Sequence, residues 1–313
     1  MTASFAVPGA VVRGRQCAVK ARLAEDDPPA YKAPMAAFRK MHGLGNDFVV
    51  FDARNKDFAL DRAGARALAD RREGIGCDQV IVIAPATGGI DAFMRIYNAD
   101  GGEVESCGNA ARCVARLLME EGDTTRVRLD SPGGLLDCSD AGGGNVTVDI
   151  GEPHLDWREI PLAEAVDTNS FVLTIDGAAL TASAVSVGNP HCVLFVEDAE
   201  RAAVSELGPK IEHHPMFPSR TNVEFVSPVS RTRLRMRVWE RGVGITRACG
   251  TGACAVAVAA VRRGLAERKV DIVLDGGTLA LEWRESDGHV LMTGPVALAY
   301  TGDIDVAALG HAS

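Results

Sequence analysis

The sequence contains no run of 18 or more apolar residues, so no segment has the length that a bilayer-crossing helix requires. Its most apolar stretch, 253–261, is half that long and predicts a buried helix instead. Positive charge is not in excess. The 33 basic and 42 acidic residues leave a formal charge of −9, which argues against a general binder of nucleic-acid backbones and allows only a small, locally basic pocket. C-x-x-C pairs are missing and no histidine pair stands at ligand spacing near the cysteines, so no metal site is assigned. The eight cysteines (Cys17, Cys77, Cys107, Cys113, Cys138, Cys192, Cys249, Cys254) occur in a chain too long and too rich in apolar residues for a disulfide-stapled scaffold. A reducing compartment, the cytoplasm, is the expectation. The "GLG" at 43–45 lacks the third glycine of a dinucleotide fingerprint and precedes a strand pattern, not a helix. No secretory-type hydrophobic segment opens the chain, and residues 1–35, with "EDDPPAYKAP", read as a disordered or extended tail. Arg13, Arg15, Lys20 and Arg22 would suit a transit peptide, but the acids and the scarcity of serine speak against one. Translation starting at Met35 is the other reading of this segment.

What is present is a repeat. "ESCGNAARCVARLLMEEG" and "RACGTGACAVAVAAVRRG" each place a cysteine before a glycine and a helix-forming run that ends at a glycine fifteen residues on. The offset from Cys107 to Cys249 is 142, and near-identical offsets recur: Asn46 to Asn189, Gln79 to Asn222, and Gly151 to Gly294 each give 143. The chain reads as a duplication with halves at 36–152 and 153–296, followed by a C-terminal segment, 297–313, expected to pack back on the first half. Each half shows short strands (48–51, 80–83 and 94–97, then 193–196, 223–226 and 234–239), the post-cysteine helix, and a closing pair of strands, "TRVRLDS" with "NVTVDI" and "VDIVLD" with "HVLMTG". This order gives an α+β fold of two homologous pseudo-twofold domains, each a mixed sheet wrapped around a central helix.

Both cysteines are placed at helix N-termini, where the partial positive charge and free N–H groups favour thiolate over thiol. The N–H groups of Gly108, Asn109, Gly250 and Thr251 make a cradle suited to a carboxylate. Gly122 and Gly264 are the expected left-handed helix ends. Cys113, Cys138, Cys192 and Cys254 read as small buried hydrophobes. "RTRLRMR" (231–237) alternates with apolar residues and reads as the solvated face of a strand, not a nucleic-acid patch. Two thiols on opposite sides of one cleft would suit removal of a proton from one face of a carbon and its replacement on the other.

"HGLGNDF" (42–48), "NADG" (98–101), "CGNAARC" (107–113), "GNPH" (188–191), "TNVEF" (221–225), "ERG" (240–242) and "ACGTGACA" (248–255) together resemble the diaminopimelate epimerase family, in the family's order, from about residue 37 to 296. The resemblance implies pyridoxal-independent interconversion of L,L- and meso-diaminopimelate, a step toward lysine and peptidoglycan precursors, with Cys107 and Cys249 as base and acid. It implies no cofactor. The lysines beyond the tail, Lys40, Lys56, Lys210 and Lys269, agree, since none stands in a conspicuous site motif that would carry a Schiff base. Carbanion character must then be met by electrostatics at the paired helix starts.

Carried onto this sequence, the family pattern implies a reacting-centre cradle of Gly108, Asn109, Gly250 and Thr251. It implies distal contacts from Asn98, Asn189, Asn222, Glu240 and Arg241, with Asn46 and Gln79 also lining the site. Arg241 can clamp a distal carboxylate bidentately and Glu240 can accept from a distal ammonium. His191 and Glu240 join the cysteines as catalytic candidates, His191 as a group tuning thiol protonation. A homodimer is the family expectation. The commoner family form has glycine where Ala110 stands and glutamate where Ile245 stands. Alanine is a good helix former, so the first change is expected to be silent, whereas the second removes a charge four residues before Cys249. The alternatives are another isomerase of the same fold, such as a proline racemase, which "NADG", "TNVEF" and "ERG" oppose; a cysteine hydrolase, which leaves the second thiol unexplained; and a non-catalytic amino-acid binding protein, which could have lost a thiol.

Overall fold

A strand pattern in each half is broken by Gly, Asn and Pro turns, and the resulting elements follow one plan twice. The computed structural model describes residues 35–305 apart from 57 and 106. The expected tail, Met35 aside, and residues 306–313 of the C-terminal segment lie outside the described residues. The first half comprises β1 (Met35–Gly43), β2 (Asn46–Asp52), α1 (Arg62–Ala69), β3 (Gln79–Ala84), β4 (Ala92–Asn98), β5 (Glu103–Val104), α2 (Gly108–Gly122), β6 (Arg126–Asp130), β7 (Leu136–Gly142) and β8 (Asn145–Asp149). The second comprises β9 (Phe171–Ile175), β10 (Ala178–Ser186), β11 (Pro190–Phe195), α3 (Val204–Glu212), β12 (Asn222–Ser230), β13 (Arg233–Glu240), β14 (Gly244–Ile245), α4 (Gly250–Arg262), β15 (Lys269–Leu274), β16 (Gly277–Trp283) and β17 (Val290–Pro295). A last strand, β18 (Ala297–Asp305), follows.

Pairing runs continuously as β18-β1-β2-β3-β4-β6-β7-β8-β17-β16-β15-β13-β12-β11-β10-β9, with β5 on β4 and β14 on β13. The order is symmetric about the β8–β17 junction, where Thr147 and Thr293 share a hydroxyl hydrogen bond of 2.7 Å. Parallel pairs fall at equivalent places, β2–β3 with β11–β12 and β4–β6 with β13–β15. Even the register repeats, Phe48 facing Gln79 as His191 faces Asn222. The expected closing pairs are in fact three-stranded meanders. "LDCSDAG" and "GTLALEW" supply the middle strands, because short turns let each chain fold back before it closes the half.

Each sheet curls around its helix. Residues 253–260 of α4 are wholly buried, as an all-apolar helix must be, and α2 buries 108–115 with Leu118 and Met119. Both helices share one core, while α1 and α3 each cover the outer face of their own half. α4 ends as expected, with Gly264 left-handed at φ 68°. α2 does not: Gly122 stays helical and Asp123 takes the left-handed cap at φ 47°, a conformation that Asp tolerates better than most residues. No helix among the described residues is long and apolar enough to cross a membrane.

Candidate active site

The first residues of α2 and α4, Gly108 and Gly250, both pack on Met292 of β17 beside the symmetry axis. A Cβ on Gly108 would come within 2.5 Å of the Met292 methyl, and one on Gly250 within 3.0 Å of its sulfur and 2.9 Å of Asn109 Oδ1. The missing side chains are what let the two helix starts approach. Asn109 ties them together, its amide donating to the backbone carbonyl of Ala248 at 3.3 Å and to Asn46 Oδ1 at 3.0 Å. Cys107 and Cys249 are the N-cap residues of these helices. Cys107 Sγ lies 4.0 Å from Asn46 Oδ1, and Cys249 Sγ accepts from the Gly252 N–H at 3.4 Å and lies 3.6 Å from Thr251 Oγ1.

Strand register delivers the other side chains to the same end of the sheet. Asn46 opens β2, Gln79 opens β3 and Asn98 closes β4, so Gln79 and Asn98 are cross-strand partners and bond at 2.9 Å. Asn189 precedes β11, Asn222 opens β12 and Glu240 closes β13. The Asn46 amide is aimed from behind. Its Nδ2 donates to Asp78 at 3.0 Å, and Asp78 is held by Arg71, which also bridges to Asp47. The "ERG" turn is pinned by buried Glu212, which accepts from the Trp239 indole at 2.7 Å and the Gly242 N–H at 2.9 Å. Asn222 accepts from the Arg241 N–H and donates to the Pro190 carbonyl, so its amide is engaged within the protein. The Arg241 guanidinium is exposed and meets the Ser219 carbonyl at 3.2 Å.

Around Cys249 runs a second polar chain, built on a buried imidazole and carboxylate where the chain at Cys107 runs from Asn46 to Asp78 and Arg71. His191 and Glu224, both fully buried, bond through Nδ1 and Oε1 at 2.7 Å. His191 Nε2 meets Asn189 Oδ1 at 2.9 Å, and Asn189 Nδ2 reaches Thr251 Oγ1 at 3.4 Å. Both ring nitrogens of His191 are thus engaged by side-chain oxygens. Glu224 also borders the thiol: a Cβ on Gly252 would lie 2.8 Å from Glu224 Oε1 and 3.2 Å from Cys249 Sγ. Glu240 accepts from the Thr246 hydroxyl and is close enough to Cys249 for each to shift the other's protonation.

The helix starts favour thiolate, as expected, but burial outweighs them. Burial pushes Cys107 up to about 11, with Glu240 raising it further and the N–H groups of Ala110 and Asn109 and the Arg112 charge only partly opposing. Burial likewise holds Cys249 well above the ordinary thiol value, reinforced by Glu240 and Glu224 and opposed by Thr251 and the Gly252 N–H. Loss of water outweighs the partial charge of a helix end. Glu240 moves the other way from an ordinary carboxylate, pushed up to about 7 chiefly by burial. Its charge raises both thiols.

Against known proteins, the diaminopimelate epimerase family model matches residues 38–155 and 183–299. The chain belongs to the diaminopimelate epimerase family. It is 53% identical over 268 residues to a diaminopimelate epimerase of Rhodospirillum centenum, covering 85% of this chain and 91% of that one. It is 51% identical over 272 residues to one of Acidiphilium cryptum, covering 87% and 97%. Among solved structures, a hydroxyproline epimerase from Agrobacterium vitis superposes with a TM-score of 0.64 at 17% identity, covering 88% of this chain and 93% of that one, and so shares the fold. The family is an epimerase family, and the two-domain, mixed-sheet architecture expected from the repeat is its fold.

Sequence reading missed several residues of this epimerase-family site: Glu224, Glu212, Asp78, Thr246 and the fully buried Arg112. The first and last were detectable through the repeat. At the 143 offset Glu224 aligns with Ile81, inside "VIVI", and at the 142 offset Arg112 aligns with Cys254, inside the all-apolar helix. An internal position in one half implies an internal charge in the other.

Proposed function

We propose that this chain interconverts L,L- and meso-diaminopimelate without a cofactor, using Cys107 and Cys249 on opposite faces of the substrate α-carbon. The observation that carries this reading is the meeting of two cysteine-capped helix starts, one from each half, tied through Asn109 to the carbonyl preceding Cys249. One sulfur, as thiolate, takes the α-proton while the other thiol gives its proton to the opposite face. The C–H electron pair passes transiently into the carboxylate, and the two sulfurs end with protonation exchanged. The N–H groups of Gly108, Asn109, Gly250 and Thr251 meet the charge that develops on that carboxylate.

Both thiols are held in the protonated form by burial, so one must first lose a proton. Glu240, with its carboxyl near 7 and electrostatically coupled to Cys249, is the acceptor best matched to that task at neutral pH. The buried His191–Glu224 pair, linked through Asn189 and Thr251, sets the proton balance on the same side. Exposed Arg241 takes the distal carboxylate, and Asn98, Gln79, Asn46, Asn189 and Asn222 shape the site.

The reading extends to a homodimer in the cytoplasm. The exposed apolar side chains Leu298 (54%) and Tyr300 (49%) on β18 support a second copy there. The seven described cysteines, all free, support a reducing compartment.

The test is solvent exchange. In deuterium oxide with reductant, diaminopimelate is expected to take up one α-deuterium and interconvert its stereoisomers, while proline and glutamate stay unlabelled. Labelling of proline but not diaminopimelate would transfer the chain to the proline-racemase type of chemistry.

A further inference from the structure

Arg112 has no exposed surface and, among the described residues, no carboxylate within ion-pairing reach. Its guanidinium donates to Asn109 Oδ1 at 2.9 Å and to the Met292 sulfur at 3.3 Å, and Nε finds no partner among the described residues. The group is walled in by glycines: a Cβ on Gly43 would lie 2.9 Å from one terminal nitrogen, and one on Gly294 would lie 3.4 Å from the central carbon. A buried cation facing only neutral acceptors is destabilising in ordinary protein surroundings. A fold stabilised for its own sake would place an apolar residue here, as the second half does with Cys254 at the equivalent helical position.

The contacts of this cation define where its missing negative charge belongs. Asn109 is the residue whose amide spans the starts of both central helices, and Met292 is the side chain on which Gly108 and Gly250 both rest. Arg112 therefore sits one helical turn behind the carboxylate cradle and beside the symmetry axis.

Resting on the epimerase reading above, we infer that Arg112 is the fixed counter-charge for the substrate's α-carboxylate. It acts through Asn109 and becomes more strongly engaged as charge builds on that carboxylate during proton removal. It is a positioning residue: its fork holds Asn109 Oδ1, which turns the Asn109 amide nitrogen toward Asn46 and Ala248, and its charge acts at short range in surroundings from which water is excluded. The burial that lowers its own pKa is the same burial that makes its field effective.

The experiment compares Arg112→Met, Arg112→Lys and the unaltered protein in diaminopimelate epimerisation and α-deuterium exchange, together with thermal unfolding. Methionine fills the space without charge and removes a buried ion, so R112M is expected to unfold at the same temperature or higher. Its kcat is expected to fall by about a hundredfold to a thousandfold, with a much smaller rise in KM, the pattern for charge that matters most in the transition state. R112K keeps the charge and is expected to retain activity within about tenfold. A folded R112M whose kcat stays within threefold of the unaltered protein overturns the inference, as does a loss in R112K as deep as in R112M. Should R112M not fold, R112K decides alone: a folded R112K whose kcat falls by more than about a hundredfold overturns the inference, and one within about tenfold with unchanged KM supports it. Failure of the unaltered protein to label diaminopimelate strikes the epimerase reading and, with it, this inference; normal labelling with an indifferent R112M strikes only the inference.

Discussion

Where the second half buries His191 against Glu224, the first half has Phe48 and Ile81 at the positions equivalent by the 143 offset. Where the first half buries Arg112, the second has Cys254 at the 142 offset. The two central helices thus begin alike, each at a cysteine followed by a glycine, and differ in the buried groups each half adds: Arg112 behind Cys107, and the His191–Glu224 pair beside Cys249, with Glu240 acting on both. Duplication supplied two cysteine-capped helix starts, and divergence at a few interior positions gave each of them different polar neighbours. The lesson is that backbone symmetry and chemical symmetry are separately encoded, the first in turns and register, the second in a few buried side chains.

The largest expected effect tests whether both helix starts are needed at all. Replacing Cys107 or Cys249 by alanine is expected to lower interconversion of the diaminopimelate stereoisomers by at least a thousandfold, measured by chiral separation of the products. Retention of a tenth of the activity in either variant would end the two-thiol reading. Next comes the deliberate conversion of one half into the other. Glu224→Ile alone leaves the His191 ring without its buried partner and is expected to cost about 3 kcal/mol in urea unfolding. Adding His191→Phe is expected to recover most of that stability while activity stays down by about a hundredfold. Simple additivity of the two stability losses would show that the pair is not coupled.

A third test uses pH. Because the fold raises Glu240 from the ordinary carboxylate value to about 7, its neutral form is the one the folded protein prefers. That contribution is fully present below about 4.5 and is lost as pH rises through 7. Glu240→Gln is therefore expected to gain stability relative to the unaltered protein between about pH 5 and pH 8, read as diverging urea midpoints; converging midpoints would contradict the assignment. The smallest effect belongs to the axis itself. Thr293→Val removes the Thr147 hydroxyl partner and is expected to cost about 1 kcal/mol without changing kcat, which urea unfolding and a single activity assay check together.

The repeat was the most informative feature of the sequence, because an offset of 142–143 carries register as well as homology: it aligns Asn46 with Asn189 and Gln79 with Asn222, and the strand pairings reproduce that alignment. The buried central helix was legible because it is apolar on every face. The middle strands β7 and β16 were not, because "LDCSDAG" is polar and both sit between turns too short to show as loops. The helices α1 and α3 escaped too; they are short, and α3 carries Gly208 and Pro209 where a helix would not be sought, the glycine being required by Trp239, whose ring lies 2.5 Å from where a Cβ would stand. The thiol protonation escaped for a different reason. Sequence places a cysteine at a helix start but does not say how much water the surrounding strands exclude, and that quantity decided the sign.

The position of β18 has a consequence for biosynthesis. The second half provides its own outermost strand, β9, just ahead of β10, whereas β1 gains its outer neighbour only from the last strand described in the chain. During translation the half that leaves the ribosome first is thus the half that is finished last, and its outer edge stays unsealed while the whole of its twin is being made.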